Sequence, residues 1–108
     1  MGLGAWAKTN QNMITEITVY IVTHNKAENR FEVDLGDEKA VLVYMIKAGL
    51  FILLHTEVPP PYEGRGIAGK MAAAALDFAK KEGYPVRSYC SYTTRFIERH
   101  PEYCEMLG

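Results

Sequence analysis

Three consecutive prolines, Pro59-Pro60-Pro61, divide this chain, because no β-ladder runs through residues that lack a backbone N–H. Upstream of them the sequence reads as strands. Arg30–Leu35 alternates, with Phe31, Val33 and Leu35 on one face and Glu32 and Asp34 on the other, as a half-buried strand does. Ala40–Ile46 is apolar on both faces and Leu50–Val58 is a second apolar run, with turn residues at Gly36-Asp37 and Ala48-Gly49. Residues 30–58 are therefore expected to form a three-stranded antiparallel meander. The β-branched stretch Ile14–His24 adds an edge strand or extended arm, followed by the polar turn Asn25–Asn29.

Downstream the period changes. Across Gly66–Glu82, Ile67, Met71, Ala74, Ala75 and Phe78 fall at i, i+4, i+7, i+8 and i+11, which is a helix stripe. Gly83 suits the position after the last turn, and Pro85 blocks extension. Val86–Cys90 reads as a short strand and Tyr92–His100 as a second helix stopped by Pro101. The order β-β-β-β-α-β-α implies an α+β fold, a mixed and mostly antiparallel sheet with two packed helices. With 108 residues there is room for one core. Residues 1–12 read as a flexible N-terminal tail and 13–108 as a single domain.

Composition narrows the function classes. The formal net charge of −1 provides no field to recruit nucleic acid. The apolar run Ile14–Val22 is too short to span a membrane and contains Glu16. No secretory leader is visible, and two cysteines, Cys90 and Cys104, do not make a disulfide framework. Free thiols in a reducing cytoplasm are the expectation. No metal site is expected. The apolar strands offer surface for a homodimer, with nothing in the sequence selecting one.

The segment Gly64-Arg65-Gly66-Ile67-Ala68-Gly69-Lys70 lies between a strand and a helix. Glycines there allow positive φ and close approach of a ligand, and the first helical N–H groups favour negative charge. Arg65 and Lys70 add positive charge, so a phosphate site is the functional reading, against a plain turn that starts a helix. The segment formally matches G-x-G-x-x-G, but Ser88-Tyr89-Cys90 stand where a ribose-binding acidic residue would end the next strand. It also approaches G-x-x-x-x-G-K-[ST], but Met71 occupies the position whose hydroxyl would hold magnesium.

The same segment resembles the [Q/R]-x-x-G-x-[G/A] signature of the GNAT superfamily of N-acetyltransferases, with Glu63, Gly66 and Ala68 at the first, fourth and sixth positions. Four blocks in order resemble a narrower group: His55–Pro59, Glu63–Ala68, Cys90–Tyr92 and Phe96–Tyr103. That group is the small stand-alone GNAT-like family of YjdJ-type and N-acetyltransferase-domain-containing proteins, in which Glu at the first signature position is common. The resemblance covers residues 21–104. It implies a minimal GNAT fold that binds acetyl-CoA, with the pyrophosphate on the N–H groups of residues 64–70 and the pantetheine arm between the strand ending near Val58 and the strand Val86–Cys90. It thereby assigns Val58, Glu63, Gly64, Arg65, Gly66, Ile67, Ala68, Gly69 and Lys70 to coenzyme binding, and implies an amine of a small molecule or protein as acceptor.

Acetyl transfer needs a deprotonated amine, a polarised carbonyl and a proton for the leaving thiolate. Many GNAT enzymes supply that proton from a tyrosine on the last helix, where this chain has Phe96-Ile97. Cys90, in a Cys90-Ser91-Tyr92 context that resembles the narrower family, is the candidate substitute; a thiol at a helix N-terminus has a lowered pKa. The alternative for Cys90 is a small buried hydrophobe. His55 and Glu57 share one face of their strand, Thr56 the other, and either could take a proton from an amine. Tyr92 could donate its hydroxyl to the thiolate or simply cover the pocket. A full GNAT domain carries two further N-terminal helices that this chain has no room for. Besides acetyl transfer, the sequence therefore leaves open a non-catalytic acyl-CoA-binding module or sensor, and an interaction domain that has lost the ligand.

Overall fold

In the computed structural model, which describes residues 18–108, the alternating and apolar stretches become strands. β1 (Val22–Asn25), β2 (Arg30–Asp34), β3 (Lys39–Lys47) and β4 (Leu50–Glu57) pair as an antiparallel meander, and β5 (Val86–Ser88) joins β4 in parallel. The sheet order is β1-β2-β3-β4-β5, an α+β fold with a mixed, mostly antiparallel sheet. The tail 1–12 and the start of the expected Ile14–His24 strand lie outside the described residues. Thr18–Ile21 makes no ladder, and pairing begins at Val22. Ala48 and Gly49 both have positive φ (53° and 78°) between the paired residues Lys47 and Leu50, as a two-residue hairpin loop requires.

One face of the sheet carries the core: Phe31, Val33, Ala40, Leu42, Tyr44, Phe51 and Leu53 are buried. Helix α1 (Ile67–Glu82) lies on it through Ile67, Met71, Ala72, Ala75, Leu76 and Ala79. The stripe is rotated from the expected one. Three alanines let the helix sit close to the strands, while Ala74 and Phe78 pack half-buried at its border. Cutting Leu76 or Met71 back to alanine would cost about 2–5 kcal/mol. The helix ends in a Schellman turn: Gly83, at φ 78°, donates to Lys80, and Tyr84 donates back to the Ala79 carbonyl at 2.9 Å.

Helix α2 (Ser91–Arg99) buries Thr93 and Ile97, and Ile97 joins the same core. A 3-10 segment, Pro101–Met106, follows it, and Leu107 then bridges Val86 in parallel while the Gly108 N–H donates to the Val86 carbonyl at 2.8 Å. The outer edge of the short β5 is thus occupied rather than bare.

One irregularity decides where the end of β4 points. Val43 pairs with His55 but Tyr44 pairs with Leu53, so Leu54 is an extra residue, a β-bulge. Before the bulge Phe51 and Leu53 face the helices. After it the alternation is reversed: Thr56 and Val58 turn toward the helices, and His55 and Glu57 project, exposed, from the opposite face. The parallel β4–β5 ladder stops at the same level, its last bond running from the Tyr89 N–H to the Leu53 carbonyl at 2.9 Å. Beyond it the two strands part.

Candidate active site

The glycine segment is built as a ligand cradle. Gly64 and Gly66 have φ values of 80° and 81°, left-handed conformations that L side chains rarely adopt. Gly66 is also the residue that starts α1, and a glycine has no side chain to cap it; the first turn holds no acidic residue either. The amides of Ile67, Ala68 and Gly69 therefore face outward without a side-chain partner, with the positive end of the helix dipole behind them. Pro60 and Pro61 place a 3-10 turn, Pro60–Tyr62, between β4 and this loop, which sets the glycines away from the strand end.

A cavity of about 350 Å³ lies over these amides. Seven of the nine residues expected to bind coenzyme line it: Val58, Glu63, Gly64, Gly66, Ile67, Ala68 and Gly69. The other two, Arg65 and Lys70, turn elsewhere. Lys70 Nζ donates to the Tyr20 carbonyl at 2.8 Å, and Arg65 donates to the Tyr20 hydroxyl at 3.1 Å while lying over the Tyr62 ring. The cationic side chains of the loop thus hold the segment that leads into β1. Thr56, Tyr62 and Tyr92 complete the cavity wall.

Tyr92 comes from the first turn of α2. A Cβ built on Gly69 would lie 3.4 Å from its hydroxyl and 3.8 Å from the Phe96 ring, both ordinary contact distances, so the two helices approach one another at this glycine. Burial, and to a smaller degree the Cys90 thiol, push the Tyr92 hydroxyl above its ordinary pKa, against the Arg99 guanidinium. The phenol stays protonated at neutral pH and is a donor.

Cys90 stands directly before α2, 8% exposed and behind the cavity wall rather than on it. Its Sγ is 3.4 Å from Thr56 Oγ1, and Thr56 is the wall residue in between. Burial opposes ionisation of this thiol. The Thr56 hydroxyl and the groups of Thr93 and Tyr92 at the helix start outweigh it and hold the pKa below the ordinary value. Both cysteines are free.

His55 and Glu57 are brought together, Nε2 to Oε1 at 3.9 Å, on the face of β4 away from the helices. They stand on the face of β4 opposite to Thr56, the partner of Cys90. The expected strand Val86–Cys90 ends early, at Ser88, because the Ser88 hydroxyl and Thr93 lock onto one another at 2.6 Å and turn the chain into α2. Thr56, Tyr62 and Tyr20 were not among the candidates. Alternation from the inward Phe51 and Leu53 would carry Thr56 to the opposite face, and only the bulge turns it inward; nothing in the sequence marks the contacts of Tyr20. Among the described residues, no group of His, Cys, Asp and Glu gathers to hold a metal ion, and no helix is long and apolar enough to cross a membrane.

Residues 30–107 match the family model described as GCN5-related N-acetyl-transferase. The chain is 36% identical over 101 residues to Protein NATD1 of Danio rerio, covering 89% of this chain and 92% of that one. It is 38% identical over 91 residues to Protein NATD1 of Bos taurus and 37% identical over 91 residues to that of Homo sapiens, in both cases covering 80% of each chain. With a five-stranded sheet, two helices and a glycine loop opening the first of them, the chain belongs to the GCN5-related N-acetyltransferase family.

Proposed function

We propose that this chain binds acetyl-coenzyme A over the Gly64–Gly69 loop and transfers the acetyl group to an amine. The observation that carries the reading is one continuous cavity that joins the bare amides at the start of α1 to Thr56, the hydrogen-bond partner of Cys90. Its dimensions and mixed lining suit a cofactor site. Phosphate oxygens would be held by the amides of Ile67, Ala68 and Gly69, as helix N-termini hold anions generally. Val58 and Ile67 would line the pantetheine path. Bound there, the coenzyme supplies an activated acetyl thioester.

The chain's own residues then divide the work. Cys90 is the acyl acceptor: its thiolate forms a new thioester to the acetyl carbon as the bond to the coenzyme sulfur breaks, and Tyr92 gives that sulfur its proton. The amine, freed of its proton by His55 or Glu57 directly or through water, attacks the Cys90 thioester, returns a second proton to the Tyr92 phenolate directly or through water, and releases the Cys90 thiolate. Supporting this are the lowered thiol pKa, the protonated phenol and the end of the β4–β5 ladder at Leu53 and Ser88, just before Thr56 and Cys90. A second reading, coenzyme binding without turnover, is favoured by the burial of Cys90 behind Thr56.

Calorimetric titration with acetyl-CoA, followed by intact-mass measurement of wild type and Cys90→Ala, tests both. Binding with a one-acetyl adduct that is lost in Cys90→Ala supports transfer through the thiol. Binding without an adduct, and without acetylation of any amine in a screen, leaves the binding module. An absence of binding overturns the site.

A further inference from the structure

Tyr20 ties down both ends of the stretch that carries the bare amides. Arg65, one residue before the glycine that starts α1, donates to the Tyr20 hydroxyl at 3.1 Å. Lys70, whose own N–H closes the first turn on the Gly66 carbonyl at 3.1 Å, sends its Nζ to the Tyr20 carbonyl at 2.8 Å. The residues between these two cations include Ile67, Ala68 and Gly69, whose amides face a phosphate in the reading above. Arg65 has a second support. It lies over the Tyr62 ring, 5.2 Å from the centroid, and the Tyr62 hydroxyl donates to the Leu35 carbonyl at 3.3 Å. Tyr20 is itself fixed: along residues 19–22 the side chains alternate, with Val19 and Ile21 exposed and Tyr20 and Val22 packed half-buried against the core.

The glycine loop needs such an anchor. Arg65 stands between Gly64 and Gly66, both left-handed, with nothing within 4 Å of where a Cβ would be at either. Neither glycine has a side chain to pack, so from 64 to 66 only Arg65 can hold the loop in place by a side-chain contact. A loop that became ordered only on binding would lose affinity to that ordering. Tyr20, Arg65 and Lys70 are all absent from the cavity wall. Their contacts with one another therefore leave the amide cradle open.

We propose that Tyr20 is a positioning residue for coenzyme binding: through Arg65 and Lys70 it holds the glycine loop and the first turn of α1 in the conformation that receives phosphate, without touching the ligand. The inference rests on the coenzyme reading above. A mobile strap that competed with the ligand for the two cations would be the opposite device. The packing of Tyr20 against the core and the seat of Arg65 on the Tyr62 ring make these contacts part of the framework instead.

The test is titration calorimetry of the full chain with coenzyme A, for wild type, Tyr20→Phe, Arg65→Gln and the double variant. Tyr20→Phe deletes one hydroxyl and keeps the ring and the carbonyl that receives Lys70. It should weaken binding about threefold to tenfold, with a melting temperature within about 4 °C of wild type. Because Tyr20 acts through Arg65, Arg65→Gln should weaken binding at least as much, and the double variant should bind within about twofold of Arg65→Gln alone. Amide hydrogen exchange in the ligand-free chain gives a readout that a general loss of stability would not. Tyr20→Phe should speed exchange at Gly64, Arg65 and Gly66 and leave β2 and β3 unchanged. Equal affinity of wild type and Tyr20→Phe, additive losses in the double variant, or unchanged exchange at the loop would each overturn the positioning role and leave the coenzyme reading standing. Tighter binding by Tyr20→Phe would also overturn it, and would mean that Tyr20 competes with the phosphates for Arg65. Wild type that binds no coenzyme A would overturn the coenzyme reading and the positioning role together.

Discussion

Cys90 Sγ and Thr56 Oγ1 lie 3.4 Å apart, across a gap in which β4 and the chain beyond β5 no longer share backbone hydrogen bonds. The contact exists because the bulge at Leu54 turned Thr56 inward. It makes a definite expectation for the thiol. As a thiolate Cys90 accepts from the Thr56 hydroxyl, so Thr56→Val should raise the Cys90 pKa and slow its alkylation at neutral pH. The rate–pH profile for iodoacetamide, read by intact mass in a Cys104→Ser background, measures it. An unchanged midpoint would mean that the start of α2 alone tunes the thiol.

Two glycines of the loop separate conformational need from spatial need. Gly66 is left-handed with open space where a Cβ would stand, so Gly66→Ala should cost about 1–2 kcal/mol through backbone strain alone. Gly69 is helical, and an added Cβ would make ordinary contact with Tyr92 and Phe96. Gly69→Ala should therefore stabilise the fold by about 0.5–1 kcal/mol while narrowing the cavity. Urea denaturation of the two variants, expected to move in opposite directions, decides the matter.

Stability should fall in mild acid for a reason remote from the cavity. His24 is stacked on Phe31 at 4.1 Å, edge-on to Phe78, with Nε2 at 2.6 Å from the Tyr44 hydroxyl. Burial, and then Lys26, lower its pKa. The unfolded chain thus binds this proton more readily than the native one. The contribution is complete above the unfolded value of about 6.5 and is lost as pH falls from there toward the folded pKa. Thermal melts between pH 7.5 and 5 should show this slope in wild type and lack it in His24→Gln.

Much of this was legible in the residues. The alternation of Arg30–Leu35, the prolines at 59–61 and Gly83 set the meander, the break and the helix end, because each is a local rule about hydrogen bonding or φ. The glycine loop was legible for the same reason. What the residues could not express were events that depend on two distant segments. The Leu54 bulge arises where β3 and β4 must pair while β5 ends, and it alone sets which face carries Thr56. The capture of Lys70 and Arg65 by Tyr20 joins residues 45 to 50 positions apart, and no local pattern at the loop foretells it.

The pair His55 and Glu57 allows function to be separated from stability. Their side chains are 60% and 71% exposed, and an exposed contact such as theirs, at 3.9 Å, is worth about 0–1 kcal/mol at most in water. His55→Ala and Glu57→Gln should therefore leave the denaturation midpoint within about 0.5 kcal/mol of wild type. If one of them takes the proton from the amine, that variant should lose about a hundredfold or more in acetyl transfer while still acquiring acetyl on Cys90, since the first half of the reaction needs no amine. Measuring the adduct and the turnover in the same sample distinguishes this from damage to the coenzyme site, which would lower both. Turnover unchanged in both variants would mean that the amine arrives already neutral and that this face of β4 contributes only surface.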